Sequence, residues 1–421
     1  MKVSKPLLGI IADDFTGGTD IASMLAKEGM RTVQTIGIPQ QPVSDVDAIV
    51  VALKTRTSPA QDAVKESLEA VRWLRQVGCK QFYFKYCSTF DSTLKGNIGP
   101  VIDALMEELG ADFTIVCPAL PENGRTVYKG NLFVGDVLLS ESGMRHHPLT
   151  PMTDSNLVRL LAPQTTKTVG LVVRETVVQR PEQIEDAFAK LKSSGVQIAV
   201  VDATENADLY RIGEASADLA LLTGGSGLAL GLPQNYRRAG LLRSETSAST
   251  LATTDGKLVL LSGSCSVATN GQVEQWLQAR PGFKVDPLAI HRGEDVAGEA
   301  VSWVLNQTEP ALVYASARPD EVAAVQAELG VDAAGKLVEG VLSAIAAALK
   351  GKGYNKFIVA GGETSGAVVK ALNVQGLRIG ESIAPGVPWT QSLDERPLSL
   401  ALKSGNFGSV KFFEEATAAC P

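Results

Sequence analysis

At 421 residues the chain has room for two or three domains of ~100–200 residues each. Its 45% hydrophobic and 20% charged residues are the balance of a globular protein with a substantial core, which excludes a disordered, collagen-like or bare coiled-coil chain. The net charge of −7 speaks against a protein that coats nucleic acid or adheres to a membrane, while leaving room for a local basic pocket.

The N-terminal MKVSKPLLGIIADDF meets two aspartates after a short apolar run and lacks the features of a signal peptide. No apolar stretch approaches the ~18 residues of a membrane span. The five cysteines (Cys79, Cys87, Cys117, Cys265, Cys420) form no Cys-x-x-Cys pair, which fits a reducing cytoplasm and argues against a structural zinc.

Along the chain, short apolar runs alternate with helical patterns. Leu7 to Ala12 is expected as a buried strand, followed by a turn at Thr16-Gly17-Gly18 and a helix from Asp20 to Glu28. Strands are expected again at Ala48 to Leu53, Gln81 to Tyr86, Phe113 to Cys117, Val169 to Val173 and Ile198 to Val201, with a helix from Pro59 to Gln76. The pattern lapses between Leu232 and Gly256, rich in Ser, Thr and Ala, and residues 233–256 are expected as a linker. It resumes with strands at Lys257 to Leu261, Ala311 to Tyr314 and Phe357 to Ala360, and helices at Asn270 to Gln278 and between Asp320 and Lys350. The fold class expected is α/β: two lobes, residues 1–232 and 257–421, with mostly parallel sheets and an active-site crevice between them.

In open α/β sheets, ligands bind beyond the carboxyl ends of strands, so the polar residues there are the first candidates. Asp13-Asp14-Phe15-Thr16-Gly17-Gly18 places two carboxylates before a helix, able to accept a proton or hold a hydroxyl, or simply to cap the helix. The loop from Lys85 to Asn97 carries two lysines, several hydroxyls and Asp91, a set suited to a polyhydroxylated acid. Pro118 to Thr126 contributes Arg125, which can grip a carboxylate with two bonds or merely accompany a turn. Adjacent His146 and His147 do not share a helical face and are expected on the surface or in packing, not on a metal. In the second lobe, glycine clusters follow three strands: Ser262 to Ser266, Gly361 to Gly366 and Ser404 to Gly408. Their backbone N–H groups together suit a nucleotide or phosphate, although neither a P-loop nor a dinucleotide fingerprint is present.

Taken in order, IADDFTGGTD, KYCSTFDSTLKGNIGP, PALPENGRTVYKGNLFVG, GMRHHPLTPMTDSNL, SGSCSVAT, AGGETSGAV and SGNFG resemble the four-carbon acid sugar kinases over nearly the whole chain. The STFDST-x-KGNIGP and MRHHP-x-x-PMTDSNL forms resemble its 3-oxo-tetronate kinase branch; threonate and erythronate kinases carry an arginine where Lys95 stands. The resemblance implies an N-terminal acid-sugar-binding domain and a C-terminal nucleotide-binding domain, with ATP phosphorylating the C4 hydroxyl of a 3-oxo-tetronate. It assigns ATP contacts to Ser264 or Ser266, Gly361, Gly362, Glu363, Thr364, Gly405 and Asn406. The acid sugar falls to Asp13, Asp14, Lys85, Asp91, Ser92, Lys95 and Arg125.

Phosphoryl transfer needs positioning, charge neutralisation by Mg²⁺ and a carboxylate on the attacking hydroxyl. Asp91 and Asp14 are the candidates for that carboxylate, Asp91 ahead because its loop also holds the lysines, and Glu363 is the candidate Mg²⁺ partner. The expected partner is thus a small-molecule acid sugar, with no nucleic acid or membrane; a homo-oligomer is left open. The rivals are a threonate or erythronate kinase, an NAD-linked hydroxy-acid oxidoreductase and a sugar-acid binding protein. The oxidoreductase lacks its fingerprint, and the binding protein leaves the three glycine clusters unused.

Overall fold

The computed structural model describes residues 5–40, 43–147, 149–242 and 250–421. By its internal contacts the chain divides into two units, Met1–Ser249 and Thr250–Pro421.

Strands of the first unit that lie inside its sheet are buried along nearly their whole length and mostly apolar, because helices cover both faces and little of the strand meets water. They are β1 (Leu8–Ala12), β2 (Thr32–Ile36), β3 (Ala48–Ala52), β4 (Gln81–Lys85) and β5 (Thr114–Cys117). A three-stranded antiparallel meander follows, β6 (Arg125–Tyr128), β7 (Asn131–Val134) and β8 (Val137–Leu138), before the sheet resumes with β9 (Val169–Val172), β10 (Ile198–Val201) and β11 (Leu221–Gly224). The order β2-β3-β1-β4-β11-β5-β10-β9 is parallel throughout.

The second unit holds β12 (Lys257–Ser262), β13 (Gly282–Lys284), β14 (Ala311–Tyr314), β15 (Tyr354–Ala360), β16 (Gly376–Ala384), β17 (Val387–Ser392) and β18 (Ser399–Lys403). Their order is β13-β14-β12-β15-β18-β17-β16, with β17 antiparallel to both neighbours and the rest parallel. Leu260, Trp276, Ile358, Trp389, Phe412 and Phe413 form the core on one side of this sheet.

Both units begin in the same way. The first strand is central, the second and third lie to one side, and the fourth crosses to the other, giving 2-3-1-4 in the first unit and the equivalent β13-β14-β12-β15 in the second. That crossover opens a crevice at the carboxyl ends of the first and fourth strands, where α/β sheets bind ligands. In the first unit it falls between Asp13 and Lys85, in the second between Gly263 and Gly361.

The helix after β1 starts at Phe15, not Asp20, so Gly17 and Gly18 lie inside its first turn and not in a preceding loop. Asp14 caps it by accepting from the Gly17 N–H at 3.0 Å. A side chain at Gly17 would stand 2.2 Å from that same carboxylate, so a larger residue there would push the cap aside. The stretch expected as a linker carries a helix, Pro233–Arg238, tied to the first unit by Asn235 to the Gly213 carbonyl and Tyr236 to Gln81. At its far end Thr254 meets Ser399 of the second unit, while residues 243–249 lie outside those described.

Candidate active site

In the first unit, β1, β3 and β4 deliver charged residues to one edge of the sheet. Arg56, just beyond β3, binds Asp13 with two hydrogen bonds, Nε to Oδ2 at 3.0 Å and Nη2 to Oδ1 at 2.8 Å, and Nη2 also reaches Asp14 at 2.5 Å. Asp14 accepts as well from Thr16 Oγ1 at 2.8 Å. One guanidinium cannot fully offset two adjacent carboxylates, and their acidities diverge. Burial, opposed by Arg56, leaves Asp13 raised above the usual carboxylate range. Burial also acts on Asp14, but the charges of Arg56 and Lys85 with the Thr16 and Gly17 hydrogen bonds outweigh it and hold that group low.

Lys85, the last residue of β4, is buried and donates to the Tyr86 carbonyl at 3.0 Å. One turn into the first helix, Asp20 is raised by burial against the pull of Lys85, and its Oδ1 has no hydrogen-bond partner among the described residues. Cys87 joins this cluster to the Asp91 loop. After burial, the Asp91 charge is what most raises its thiol, while Arg56 and Lys85 draw it down. Its sulfur contacts Thr89 Oγ1 at 2.9 Å, and Thr89 donates to Asp91 Oδ1 at 2.6 Å. Asn97, at the end of the loop, donates to the carbonyls of Thr55, Arg56 and Ser58, locking the segment that presents Arg56.

The expected acid-sugar residues are therefore only partly brought together. Asp13, Asp14 and Lys85 share one electrostatic cluster, and Asp91 adjoins it through Cys87. The Ser92 hydroxyl is committed to Gln164 at 2.8 Å, and the Lys95 side chain is exposed. Arg125 donates to the Asn123 carbonyl, and no hydrogen bond or ion pair joins it to the cluster among the described residues; its Nε is buried without a partner. His147 Nδ1 accepts from the Thr150 N–H at 3.1 Å, in keeping with a structural role. Arg56 was not among the sequence candidates, and Asn97 entered only as the end of the Lys85 loop, with no role of its own. The signal for Arg56 was present, since it follows an expected strand as the other candidates do.

In the second unit the three glycine clusters converge. A Cβ on Gly263 would lie 2.3 Å from Thr364 Oγ1; one on Gly361 would lie 2.8 Å from the same atom and 3.2 Å from the Ser264 nitrogen. One on Gly405 would lie 2.7 Å from Ser264 Oγ. Gly361 also has φ +123°, in the region that favours glycine. Ser266 caps the helix Val267–Leu277 and donates to the Gly405 carbonyl at 2.6 Å, so its hydroxyl holds two loops together. The helix Gly362–Ala371 has no side-chain cap, which leaves its first-turn N–H groups available to an anion.

Beside these loops opens a cavity of about 630 Å³, within the range of small-molecule sites. Val285, Pro287, Val322 and Val338 give it apolar walls, and Gly263, Glu363 and Thr364 form the side that meets the glycine loops. An apolar chamber bordered by backbone donors suits a nucleoside with phosphates attached.

Two family models match the chain, a sugar-binding N-terminal domain over residues 8–232 and a nucleotide-binding C-terminal domain over residues 259–413. A Burkholderia multivorans protein named 3-oxo-tetronate kinase is 59% identical over 420 residues, covering 99% of this chain and 98% of its own. The chain belongs to the four-carbon acid sugar kinase family, in its 3-oxo-tetronate kinase branch. Another protein of that name, from Haemophilus influenzae, is 49% identical and covers 97% of this chain and 99% of its own. Among solved structures, a Haemophilus influenzae protein superposes with TM-score 0.83 at 48% identity, covering 98% of this chain and 100% of its own. One from Salmonella typhimurium gives 0.91 at 46%, covering 98% and 99%. As a member of this kinase family the chain is a phosphotransferase with an alcohol acceptor, and the cavity with its glycine loops lies in the nucleotide-binding domain. Among the described residues no helix is long and apolar enough to cross a membrane.

Proposed function

We propose that the protein transfers the γ-phosphoryl group of ATP to the C4 hydroxyl of a 3-oxo-tetronate. The observation that carries this reading is the meeting of the Gly263, Gly361 and Gly405 loops beside an apolar cavity that Gly263, Glu363 and Thr364 help to line, in a chain whose relatives are named for that activity.

The adenosine would occupy the cavity, with phosphates against the N–H groups of Gly362, Glu363 and Thr364 and the loops of Ser264 and Gly405. Mg²⁺, when bound with the nucleotide, supplies neutralisation of phosphate charge. A nucleotide-borne Mg²⁺ needs only one or two carboxylates, and Glu363 on the cavity wall fits that demand directly or through water.

The acid sugar is assigned to the first unit. Lys85 and the N-terminus of the helix Phe15–Lys27 favour its carboxylate, and Asp20 Oδ1 offers an acceptor to a hydroxyl. Asp91 is assigned the attacking hydroxyl. One of its oxygens is held by Thr89, whereas the Asp14 carboxylate is engaged by Arg56, Thr16 and Gly17 and is held low, a poor base. Asp14 then serves as cap and electrostatic partner. The protein is expected to act in the cytoplasm.

A coupled ADP-release assay across 3-oxo-tetronates, threonate and erythronate tests the reading. Turnover confined to threonate or erythronate would replace the substrate, and no ADP release with any of them would remove the proposal.

A further inference from the structure

Lys403, at the end of β18, is fully buried, yet no carboxylate pairs with it among the described residues. In its ammonium form it donates to three neutral oxygens: Thr269 Oγ1 at 2.9 Å, the Gly405 carbonyl at 2.9 Å and the Ser404 carbonyl at 3.1 Å. The Phe412 ring closes another side, its centroid 5.8 Å from Nζ. A buried ammonium without a counter-ion is costly, and burial lowers Lys403 to about 7.

The geometry shows what the bonds accomplish. Ser404 to Phe407 form a turn, with the Phe407 N–H on the Ser404 carbonyl at 3.3 Å. The Gly405 carbonyl accepts from Lys403, from Ser266 Oγ at 2.6 Å and from Thr269 Oγ1 at 2.8 Å, so both carbonyls are drawn inward. In a trans peptide the N–H opposes the C=O. The N–H groups of Gly405 and Asn406 are thereby turned away from the ammonium, and neither has an acceptor in the protein among the described residues. Two successive outward N–H groups form an anion nest, here with a positive charge behind it.

We infer that Lys403 is a positioning residue for the nucleotide: it holds the Ser404 and Gly405 carbonyls inward, aims the Gly405 and Asn406 N–H groups at the phosphates, and sets its charge behind them. The inference rests on the assignment of the Gly405 loop to the nucleotide. The bound phosphates become the counter-ion that Lys403 lacks, so nucleotide binding favours its charged form and draws a proton from solvent.

The test is calorimetric titration of the full-length protein with Mg-ADP at pH 8.0, in two buffers of different ionisation enthalpy, beside steady-state kinetics. Wild type is expected to take up a large fraction of a proton. Lys403→Met is expected to lose that uptake and to raise KM for ATP at least tenfold, with KM for the acid within twofold; Lys403→Arg recovers part of the ATP affinity. Wild type that binds Mg-ADP without proton uptake, or a methionine variant whose KM for ATP stays within twofold, overturns the role of Lys403 alone. The wild-type titration decides even if the methionine variant fails to fold. Wild type that binds no Mg-ADP overturns both this inference and the assignment of the loop.

Discussion

Arg56 and Asp13 meet through two parallel hydrogen bonds of 3.0 and 2.8 Å, and the same guanidinium extends to Asp14. The side chains are only 24% and 6% exposed, so the pair is held largely out of water, and removing one partner strands the other.

Arg56→Ala is therefore expected to destabilise the first unit by ~3–5 kcal/mol, the range for breaking a buried pair. Asp14 loses a charge that holds its pKa low, and that pKa moves up. Since a depressed carboxylate stabilises the fold above its unfolded value and loses that contribution as pH falls, the variant should show a flatter acid limb than wild type. Urea denaturation at pH 7 and pH 4 reads both effects; a loss below ~1 kcal/mol at pH 7 would contradict the buried-pair description.

Asn substitution separates the two candidate carboxylates. Asp91→Asn should lower kcat by ~10²–10⁴, the usual contribution of a general base, with KM for the acid nearly unchanged. Asp14→Asn removes a charge from the helix cap and from Arg56, so its main effects should be on stability and acid binding. Near-normal turnover by the Asp91 variant would move the base elsewhere.

Asn97→Ala removes the amide that ties three carbonyls of the Arg56 segment. The expected cost is ~1–3 kcal/mol for buried groups left unpaired. KM for the acid should rise with KM for ATP unaltered, since the tie lies wholly in the first unit. Equal changes in both constants would argue for a global defect instead.

Gly361→Ala forces a Cβ to within 2.8 Å of Thr364 Oγ1 and 3.2 Å of the Ser264 nitrogen, at φ +123°. A strain of ~1–3 kcal/mol in the fold is expected from the backbone alone, and displacement of the loop should raise KM for ATP. Thermal-shift titration with Mg-ATP checks it, and an unchanged midpoint increment would show that the loop accommodates the methyl group.

Lys403 also predicts a dependence of stability on pH in the absence of nucleotide. Its lowered value, about 7, lies below that of a lysine in the unfolded chain, so between those values the unfolded state binds more protons. Stability from this group accordingly rises with pH from 7 towards 10, by at most about 1.4 kcal/mol per pH unit. The difference in urea stability between wild type and Lys403→Met should follow that slope; a difference flat in pH would mean that the side chain is charged throughout.

The strands that are continuously apolar, such as Leu8–Ala12, Ala48–Ala52 and Phe357–Ala360, were legible because burial on both faces leaves a run without polar residues. Thr32–Ile36 escaped notice because Thr32, Gln34 and Thr35 interrupt its apolar character; Gln34 is nonetheless buried, held between Thr19 and the Phe15 carbonyl. Gly17 and Gly18 read as a turn because the Asp14 cap that makes them helical is a matter of three-dimensional fit. The glycine clusters of the second unit were visible singly, and their contact with one another comes from strand order. Lys403 had no local signal: a lysine at the end of an apolar strand looks like a residue reaching for solvent, and only the returning Gly405 loop buries it.

The central placement of β1 and β12, each flanked on both sides by parallel partners, has a consequence for how the protein breathes. Amides in these strands are shielded by neighbours that must separate first, so they should exchange with deuterated solvent only through the deepest openings of each unit. Strands at the end of a unit's order, such as β9 in the first and β13 in the second, should exchange earlier. The backbone that carries Asp13 and Gly263 is thus anchored in the slowest-moving fabric of the molecule, and the chemistry depends on loops sprung from a frame that hardly yields.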